Sequence, residues 1–469
     1  MTSHVFESVC RRGAKGGALS VVAYLTFYLG VSVAQGAGFF TPSFGAHIQG
    51  RGGAGVLSAR DMSALWYNPA MLAGLGDLHL TVDLTLINQE TSFLRAPRAL
   101  ENGEVISYPS VDNVAQPIFV PKLGFASNLG TDRFVFALGA WAPNGSPSRY
   151  PQDGPQRYTV IDTEGSFVLS QGLAVGWRAT DWLWIGVGLQ NHIVRIRLVN
   201  MLTSWPGFIG GAESPDYDIL FEGVVYSPWT PSANLGARVA LPIDLEFGAS
   251  VQLPVKAYDD QAEVKQRLPS GVLFDEAMVQ GGDVRASFLL PWIIRAGTRY
   301  HRPRWDLELN VVMEMWSIFE EIDIQPNQIE VQNVPALGTI ETGSLSIPRL
   351  YEDTFSVRLG GDFMVAPELL TARAGLLWEQ SAVPTQTLSV LQVDADKIAL
   401  SLGLTWCATQ HISLDLAYSY IFYQDVMVSD SLVRQVNPTD AQNTIIVGNG
   451  YYQSAVQMVG LGVRFDLER

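Results

Sequence analysis

Along most of the chain, apolar residues alternate with small or polar residues at a period of two. In the stretch 167–178, for example, Leu169 and Leu173 fall on one face, and Ser170 and Gly172 fall on the other. Successive side chains of a β-strand point to opposite faces of the sheet, so each such stretch predicts a strand with one apolar face. Because the opposite face carries glycines, amides and charges, it predicts a polar or filled interior.

Two kinds of connection join these strands. Short turns lie near residues 127–132, 179–181, 242–244, 301–304, 366–368 and 408–410, and long connections lie near residues 91–116, 142–165, 196–231, 258–283, 319–352, 380–395 and 425–452. Strict alternation of the two kinds gives about fourteen strands with both chain ends on the short-turn side, as in bacterial outer-membrane barrels. A soluble β-sandwich also alternates, but it does not require this regular pairing of short and long connections. The predicted fold class is therefore all-β, a transmembrane antiparallel β-barrel of about fourteen strands.

Composition agrees with a barrel and narrows its partners. Of 469 residues, 47% are hydrophobic and 16% are charged, yet beyond the first forty positions no apolar run is long enough to cross a bilayer as a helix. The formal net charge of −16 excludes nucleic acid as a partner. Acidic loops outside a membrane could instead bridge through divalent cations to lipopolysaccharide, so we expect outer-membrane lipid and lipopolysaccharide as neighbours.

The N-terminus has the pattern of an export signal. Three basic residues, Arg11, Arg12 and Lys15, precede a short apolar stretch and a small-residue sequence that ends at Ala34. This order predicts a cleaved signal peptide over residues 1–36 and places the mature protein in the bacterial outer membrane; a retained signal anchor is the alternative.

Residues 37–76 lack the strand pattern. They contain a glycine-rich run at 50–55 and the motif Asn68-Pro69-Ala70. Asn68 is a good helix cap, and proline suits the first position of a helix. We therefore predict a compact hatch, or plug, over residues 37–76 in the lumen of a barrel that covers residues 77–469.

With these motifs the sequence resembles the FadL-type family of outer-membrane transporters for long-chain fatty acids. The similarity extends to Leu290-Pro291 and to the segment 378–384, Trp-Glu-Gln-Ser-Ala-Val-Pro. The resemblance implies a monomeric barrel with an N-terminal hatch, an outer hydrophobic groove, a deeper pocket and a sideways exit through the wall. It places Asn68, Pro69 and Ala70 in the hatch near that exit; a capped turn that only holds the plug together is the alternative. The implied function is passive uptake of long-chain fatty acids, and the alternative is uptake of toluene-like aromatic hydrocarbons, which relatives carry.

Two of the long connections are more apolar than loops at a watery barrel mouth require. The candidate ligand-capture residues are Met201, Leu202, Trp205, Phe208, Ile209, Leu273 and Phe274. Flexible methionines and rigid aromatic rings suit variable apolar ligands, although the same residues could pack on one another as a lid.

A candidate for the sideways exit is the end of the third strand, Trp141, Pro143, Asn144 and Gly145. Proline has no N–H to donate to a neighbouring strand, so pairing should weaken there. The alternative is that Pro143 merely begins the loop.

Other function classes receive little support from the sequence. A lipase-like outer-membrane enzyme is the main rival, but no Gly-x-Ser-x-Gly motif occurs, and the histidines after residue 36 are scattered. His192, facing inward near the outer rim, is the one candidate base, and a hydrogen-bonded lumen histidine is the plainer interpretation. A general porin would leave its lumen open, whereas the hatch would block it. Only two cysteines are present, and no metal or nucleotide motif stands out, so we expect neither cofactor nor metal.

Overall fold

The computed structural model describes residues 43–100, 102–144, 148–207, 210–269, 274, 276–327, 329–334, 338–341, 345–438, 440 and 442–467. The predicted signal peptide, residues 1–36, lies outside this part of the chain. In the described part, none of the helices has the length and apolar character needed to cross a membrane.

Fourteen strands of the described chain form a closed antiparallel barrel in which each strand pairs with its sequence neighbours and the last pairs with the first. They are β1 Leu78–Arg95, β2 Ile118–Ser127, β3 Phe134–Asn144, β4 Phe167–Arg178, β5 Leu183–Thr203, β6 Asp218–Leu241, β7 Leu245–Gln252, β8 Ile293–Arg302, β9 Trp305–Glu314, β10 Thr354–Ala366, β11 Leu370–Glu379, β12 Lys397–Cys407, β13 Ile412–Tyr423 and β14 Gly450–Leu467. The predicted fold class and strand number are confirmed.

The period-two pattern separates the two faces of the wall. On β12, Leu400 and Leu402 are exposed on the outside, while Lys397 and Ser401 are buried on the inside. Apolar side chains on the outer face meet lipid, and closure leaves no strand edge whose backbone groups would be unpaired in hydrocarbon.

In the described chain, five of the predicted long connections contain more strand than expected. The connection predicted at 196–231 is shortened because β5 and β6 stay paired as far as Thr203 and Asp218. Above the membrane, both faces of such a hairpin lie against loops or water, so the lipid-facing alternation that marks a barrel strand fades. The further strands are Arg98–Ala99, Val105–Ile106, Val111–Asp112, Val255–Arg267, Met278–Gln280, Asp283–Leu290, Glu321–Pro326, Glu330–Val334, Gly338–Glu341, Leu345–Pro348 and Val426–Val428.

Residues 43–77, hereafter the N-terminal segment, lie inside the barrel and are almost entirely buried up to Ala73. The segment has two short helices, α1 Ala46–Gln49 and α2 Ala64–Tyr67, and a 3-10 helix, Pro69–Gly74. Three further 3-10 turns lie in the loops at Pro215–Tyr217, Trp316–Ile318 and Thr385–Thr387.

Candidate functional site: the filled lumen and its outer cover

Glycines on the barrel wall make room for the backbone of the N-terminal segment. A Cβ atom at Gly186 of β5 would overlap backbone atoms of Pro69 and Ala70, and one at Gly176 of β4 would lie 2.5 Å from the backbone nitrogen of Ala73. Any larger residue at these positions would push the segment from the wall. The glycines on the polar face of the strand pattern therefore mark a docking surface.

Asn68 holds the centre of this docked region. Its Nδ2 donates to the carbonyls of Val56, at 3.0 Å, and of Ala237 in β6, at 3.2 Å. Its Oδ1 accepts from the backbone N–H of Ala70 at 3.1 Å, and Pro69 occupies the first position of the 3-10 helix. The motif thus caps a turn and also ties two parts of the segment to the wall.

Arg51 makes a second anchor, to strands β9 and β10. Its buried guanidinium reaches Asp362 of β10 at 2.6 Å and Asp306 of β9 at 2.7 Å. Glu308 of β9 adds a third carboxylate at 3.4 Å. The planar fork of arginine can meet several carboxylates at once, which a point-like ammonium cannot do.

A third anchor joins the segment to β2. Lys122 lies 3.2 Å from Asp61 and donates to Ser63 Oγ at 2.7 Å, and it also pairs with Asp83 of β1. Burial by itself would raise the pKa of Asp61, but the Lys122 ammonium outweighs burial and holds that pKa well below its usual range. The ion pair of Asp61 with Lys122 therefore ties the segment to the wall.

A continuous buried apolar cluster connects the N-terminal segment with the outer loops. Within the segment, the Phe44 and Tyr67 rings stack at 6.1 Å between centroids. In the outer loops, Phe319 meets Tyr351 edge-on at 5.0 Å. The members that lie in the segment, at the outer strand ends and in the loops include Phe44, Trp66, Tyr67, Phe93, Trp141, Trp316, Phe319, Tyr351, Leu388 and Tyr452. An apolar path, filled by side chains in this state, therefore runs from the outer surface into the lumen.

The predicted capture residues do not form one surface. Met201 and Leu202 are buried at the outer end of β5, where Met201 packs with Tyr158 and Val447 of two other loops. Phe274 packs with Val331 in a separate cluster. Trp205 is half-buried, and Phe208, Ile209 and Leu273 lie outside the described residues.

Sequence reasoning missed the aromatic group Trp316, Phe319 and Tyr351, although it lies in the predicted long connection at 319–352 or next to it. Three large aromatic rings in or next to one connection were a signal in the sequence that could have identified this group. The partners of these rings belong to other loops and could not be identified from a single sequence.

The predicted exit region contains an irregularity in strand pairing. Trp141 of β3 pairs with Ser170 of β4, but the next pair is Asn144 with Val168, so one strand has an extra residue at this point. Pairing of β3 with β2 ends at the pair formed by Trp141 and Lys122. The Trp141 ring is buried against Gly172, and Gly145 lies outside the described residues.

His192 is buried, and its Nδ1 lies 2.7 Å from Ser170 Oγ. A serine hydrolase needs a third group that orients the histidine and donors for an oxyanion. In the described part of the chain, no carboxylate is hydrogen-bonded to this histidine. The pair is a hydrogen-bonded contact between neighbouring strands β4 and β5.

Comparison with known proteins agrees with this architecture. A family model described as outer membrane protein transport protein (OMPP1/FadL/TodX) matches residues 28–466. The long-chain fatty acid transport protein of Salmonella typhi is 24% identical over 336 residues, which cover 68% of this chain and 73% of the relative. That of Escherichia coli K12 is 24% identical over 155 residues, which cover 32% of each chain.

Solved structures show the same fold. A FadL homologue of Pseudomonas aeruginosa superposes with a TM-score of 0.73 at 19% identity, covering 92% of this chain and all of that one. The toluene transporter TodX of Pseudomonas putida gives a TM-score of 0.62 at 15% identity, covering 91% and 99%. Together with the match over nearly the whole sequence, these findings show that the chain belongs to the OMPP1/FadL/TodX family of outer-membrane transport proteins.

Proposed function

We propose that this protein carries hydrophobic compounds, foremost long-chain fatty acids, passively across the outer membrane. The observation that carries the proposal is the apolar cluster that runs from the outer loops to the N-terminal segment. A water-filled porin would instead line its lumen with exposed polar groups. Curated relatives are named for long-chain fatty acid transport, and solved relatives include toluene transporters.

In this proposal the N-terminal segment is the hatch. Because it fills the lumen and is anchored at wall glycines, at Arg51 and at Lys122, a ligand can pass only if the segment shifts. A few contacts broken by the ligand would release part of the segment while the remaining anchors keep it in the barrel. No energy source is needed when the ligand is consumed inside the cell.

The outer loops are proposed to capture the ligand. Trp205 is the half-exposed member of the predicted set and lies in a connection with Phe208 and Ile209. Buried Met201 and Leu202 would support this surface from below, and Phe274 would belong to a second, separate contact area.

Ligand is proposed to leave sideways near Trp141 and Pro143, where β3 loses regular pairing with both neighbours. In the β2–β3 register, Val120 and Pro143 would face each other two residues beyond the last pair, Lys122 and Trp141. A disulfide between Val120→Cys and Pro143→Cys, made in a Cys407→Ser background, should stop uptake until it is reduced. Unchanged uptake by the oxidised variant would contradict an exit at this place.

One feature of the lumen favours a fatty acid over a hydrocarbon. The Arg295 guanidinium is buried and lies 5.0 Å from the centre of the Trp66 ring, yet in the described part of the chain no carboxylate oxygen lies within 4.0 Å of it. A buried cation without an ion-pair partner can receive a ligand carboxylate, whereas toluene offers it nothing.

The direct test is uptake of radiolabelled oleate by cells that lack their own long-chain fatty acid transporter and express this protein. We expect saturable uptake that an Arg295→Met variant loses while it keeps uptake of toluene. Uptake of toluene but not oleate by the unmodified protein would select the hydrocarbon alternative, and uptake of neither would contradict the proposal.

The remaining expectations belong to the same proposal. The protein would act as a monomer, since one barrel holds the whole apolar path. Its signal peptide, residues 1–36, would be cleaved on export. Acidic residues of the loops would meet lipopolysaccharide through divalent cations.

A further inference from the structure

The barrel wall has a second weak place, between β7 and β8. The β7–β8 ladder runs from the pair Leu245–Tyr300 to Gln252–Ile293 and resumes in the same register at Val255–Leu290. Between these pairs, Pro254 stands opposite Pro291, and Leu253 stands opposite Trp292. Two facing prolines remove two backbone donors from one level of the wall. We call residues 253, 254, 291 and 292 the proline seam.

At the seam each strand remains attached to its other neighbour. The N–H of Leu253 donates to Ala233 of β6 at 2.9 Å, and Ser232 Oγ donates to the Leu253 carbonyl at 2.9 Å. On the opposite side, Met315 donates to the Trp292 carbonyl at 3.0 Å. The wall is therefore continuous on both sides of the seam, and the described structure has no backbone hydrogen bond across it.

Both strands also change face at this level. On one strand the buried side chains go from Gln252 to Val255, a spacing of three, and on the other strand Leu290 and Pro291 are buried in succession before Ile293. Regular strands keep one face at a spacing of two. This change of face brings apolar side chains from both strands to a common space.

That space is a narrow cavity of about 10 Å³ on the lumen side of the seam. The seam contributes Leu253 and Pro291, and the N-terminal segment contributes Trp66. His192 lines the same cavity with a buried Nε2 that has no hydrogen-bond partner in the described structure. A polar atom left unpaired beside an apolar cavity marks a place where a ligand group or a water is accommodated.

The position of the seam along the barrel axis determines which part of the membrane surrounds it. Leu253 is the ninth residue after the short turn that precedes β7, and a barrel strand crosses the hydrocarbon in about 9–11 residues. Trp292 and Trp229 are exposed on the outside nearby, as is typical of the membrane interface. Since the short turns face the periplasm in this fold class, the seam lies at the outer-leaflet boundary.

We propose that the proline seam is a membrane-side entrance, through which an acyl chain or hydrocarbon dissolved in the outer leaflet reaches the lumen beside Trp66. It deepens the proposed function, on which it rests, by adding a source of ligand other than the aqueous phase. The seam is distinct from the exit at β3 because it lies on other strands. Because the described structure has no backbone hydrogen bond across the seam, only side chains have to move for it to open.

The test uses the folded barrel in nanodiscs whose lipid contains a fatty acid with a photoreactive diazirine. In a Cys407→Ser background, Leu253→Cys and Trp292→Cys form a disulfide across the seam. The matched control, Val251→Cys and Ile294→Cys, cross-links the intact ladder two residues below. We expect photolabel on the peptide that contains Trp66. This labelling should be at least fivefold weaker when the seam pair is oxidised, and reduction should restore it. Oxidation of the control pair should leave the labelling unchanged.

A barrel cross-linked at Val120→Cys and Pro143→Cys should still be labelled at Trp66, which separates the seam from the β3 exit. If the seam cysteines prevent folding, a Pro254→Val and Pro291→Val variant restores two backbone donors and should reduce labelling at least threefold. Absence of lumen label, or label that the seam disulfide leaves unchanged, would overturn the inference. Labelling does not require transport, so seam-dependent labelling in a protein that takes up no oleate would leave the entrance standing and contradict the proposed function instead.

Discussion

Asn68 joins three parts of the structure through one side chain: the carbonyl of Val56, the carbonyl of Ala237 and the N–H of Ala70. Its capping role was predictable because the signal is local, an asparagine before a proline. Its bonds to Val56 and to the wall were not, since nothing local identifies a partner twelve or 169 residues away. The same limit applies to Arg51, whose carboxylate partners lie more than 250 residues later.

Replacing Asn68 with alanine should loosen the N-terminal segment without unfolding the barrel. The change removes a donor from the buried carbonyl of Val56 and from the partly buried carbonyl of Ala237, which costs about 1–3 kcal/mol. Single-molecule conductance in planar bilayers should show openings roughly ten times as frequent. Asn102→Ala, in an exposed loop, is the control and should behave as the unmodified protein. A closed, silent Asn68→Ala barrel would show that Asn68 does not hold the segment.

Individual strands were well predicted from alternation wherever lipid lies on one side. Their outer ends were predicted too short on β5 and β6, because above the membrane the environment no longer imposes one apolar face. The glycines of the inner face were visible in the sequence, but their partners were not. Only the folded chain shows that Gly176 and Gly186 lie against the N-terminal segment.

A methyl group at Gly186 should therefore displace the segment from the wall. Its Cβ would overlap the backbone of Pro69 and Ala70, which cannot rotate away as a side chain can. We expect Gly186→Ala to fold as a heat-resistant barrel with faster tryptic cleavage after Arg51 and Arg60. In Gly211→Ala the new methyl group meets open space, so its cleavage should match that of the unmodified protein. Equal cleavage in both variants would contradict docking through wall glycines.

At the scale of the whole molecule, the closed barrel, its strand number and its family were all accessible from the sequence. Which loops form the outer cover was not. Met201 and Phe274 were expected on one capture surface and instead pack in different clusters, while Trp316 and Tyr351 belong to a third cluster, which reaches into the lumen. Loop contacts depend on long-range packing that strand periodicity does not encode.

The outer loops are expected to determine how fast ligand is captured at low concentration. A Trp205→Ala, Phe208→Ala double variant should keep the folded barrel but take up oleate at least fivefold more slowly at low concentration, with less loss near saturation. Leu432→Ala, which changes an exposed leucine in a different long connection from Trp205 and Phe208, serves as the matched control. Unchanged uptake by the double variant would eliminate the capture role of these residues.

The most direct test of the central claim is equilibrium binding of radiolabelled oleate and of toluene to the purified, detergent-folded barrel. The account predicts saturable oleate binding that excess unlabelled oleate displaces, with Trp66 fluorescence among the signals that change because the apolar path leads to it. Absence of saturable binding of either compound, together with a steady conductance for small hydrophilic solutes, would contradict the account and identify a porin.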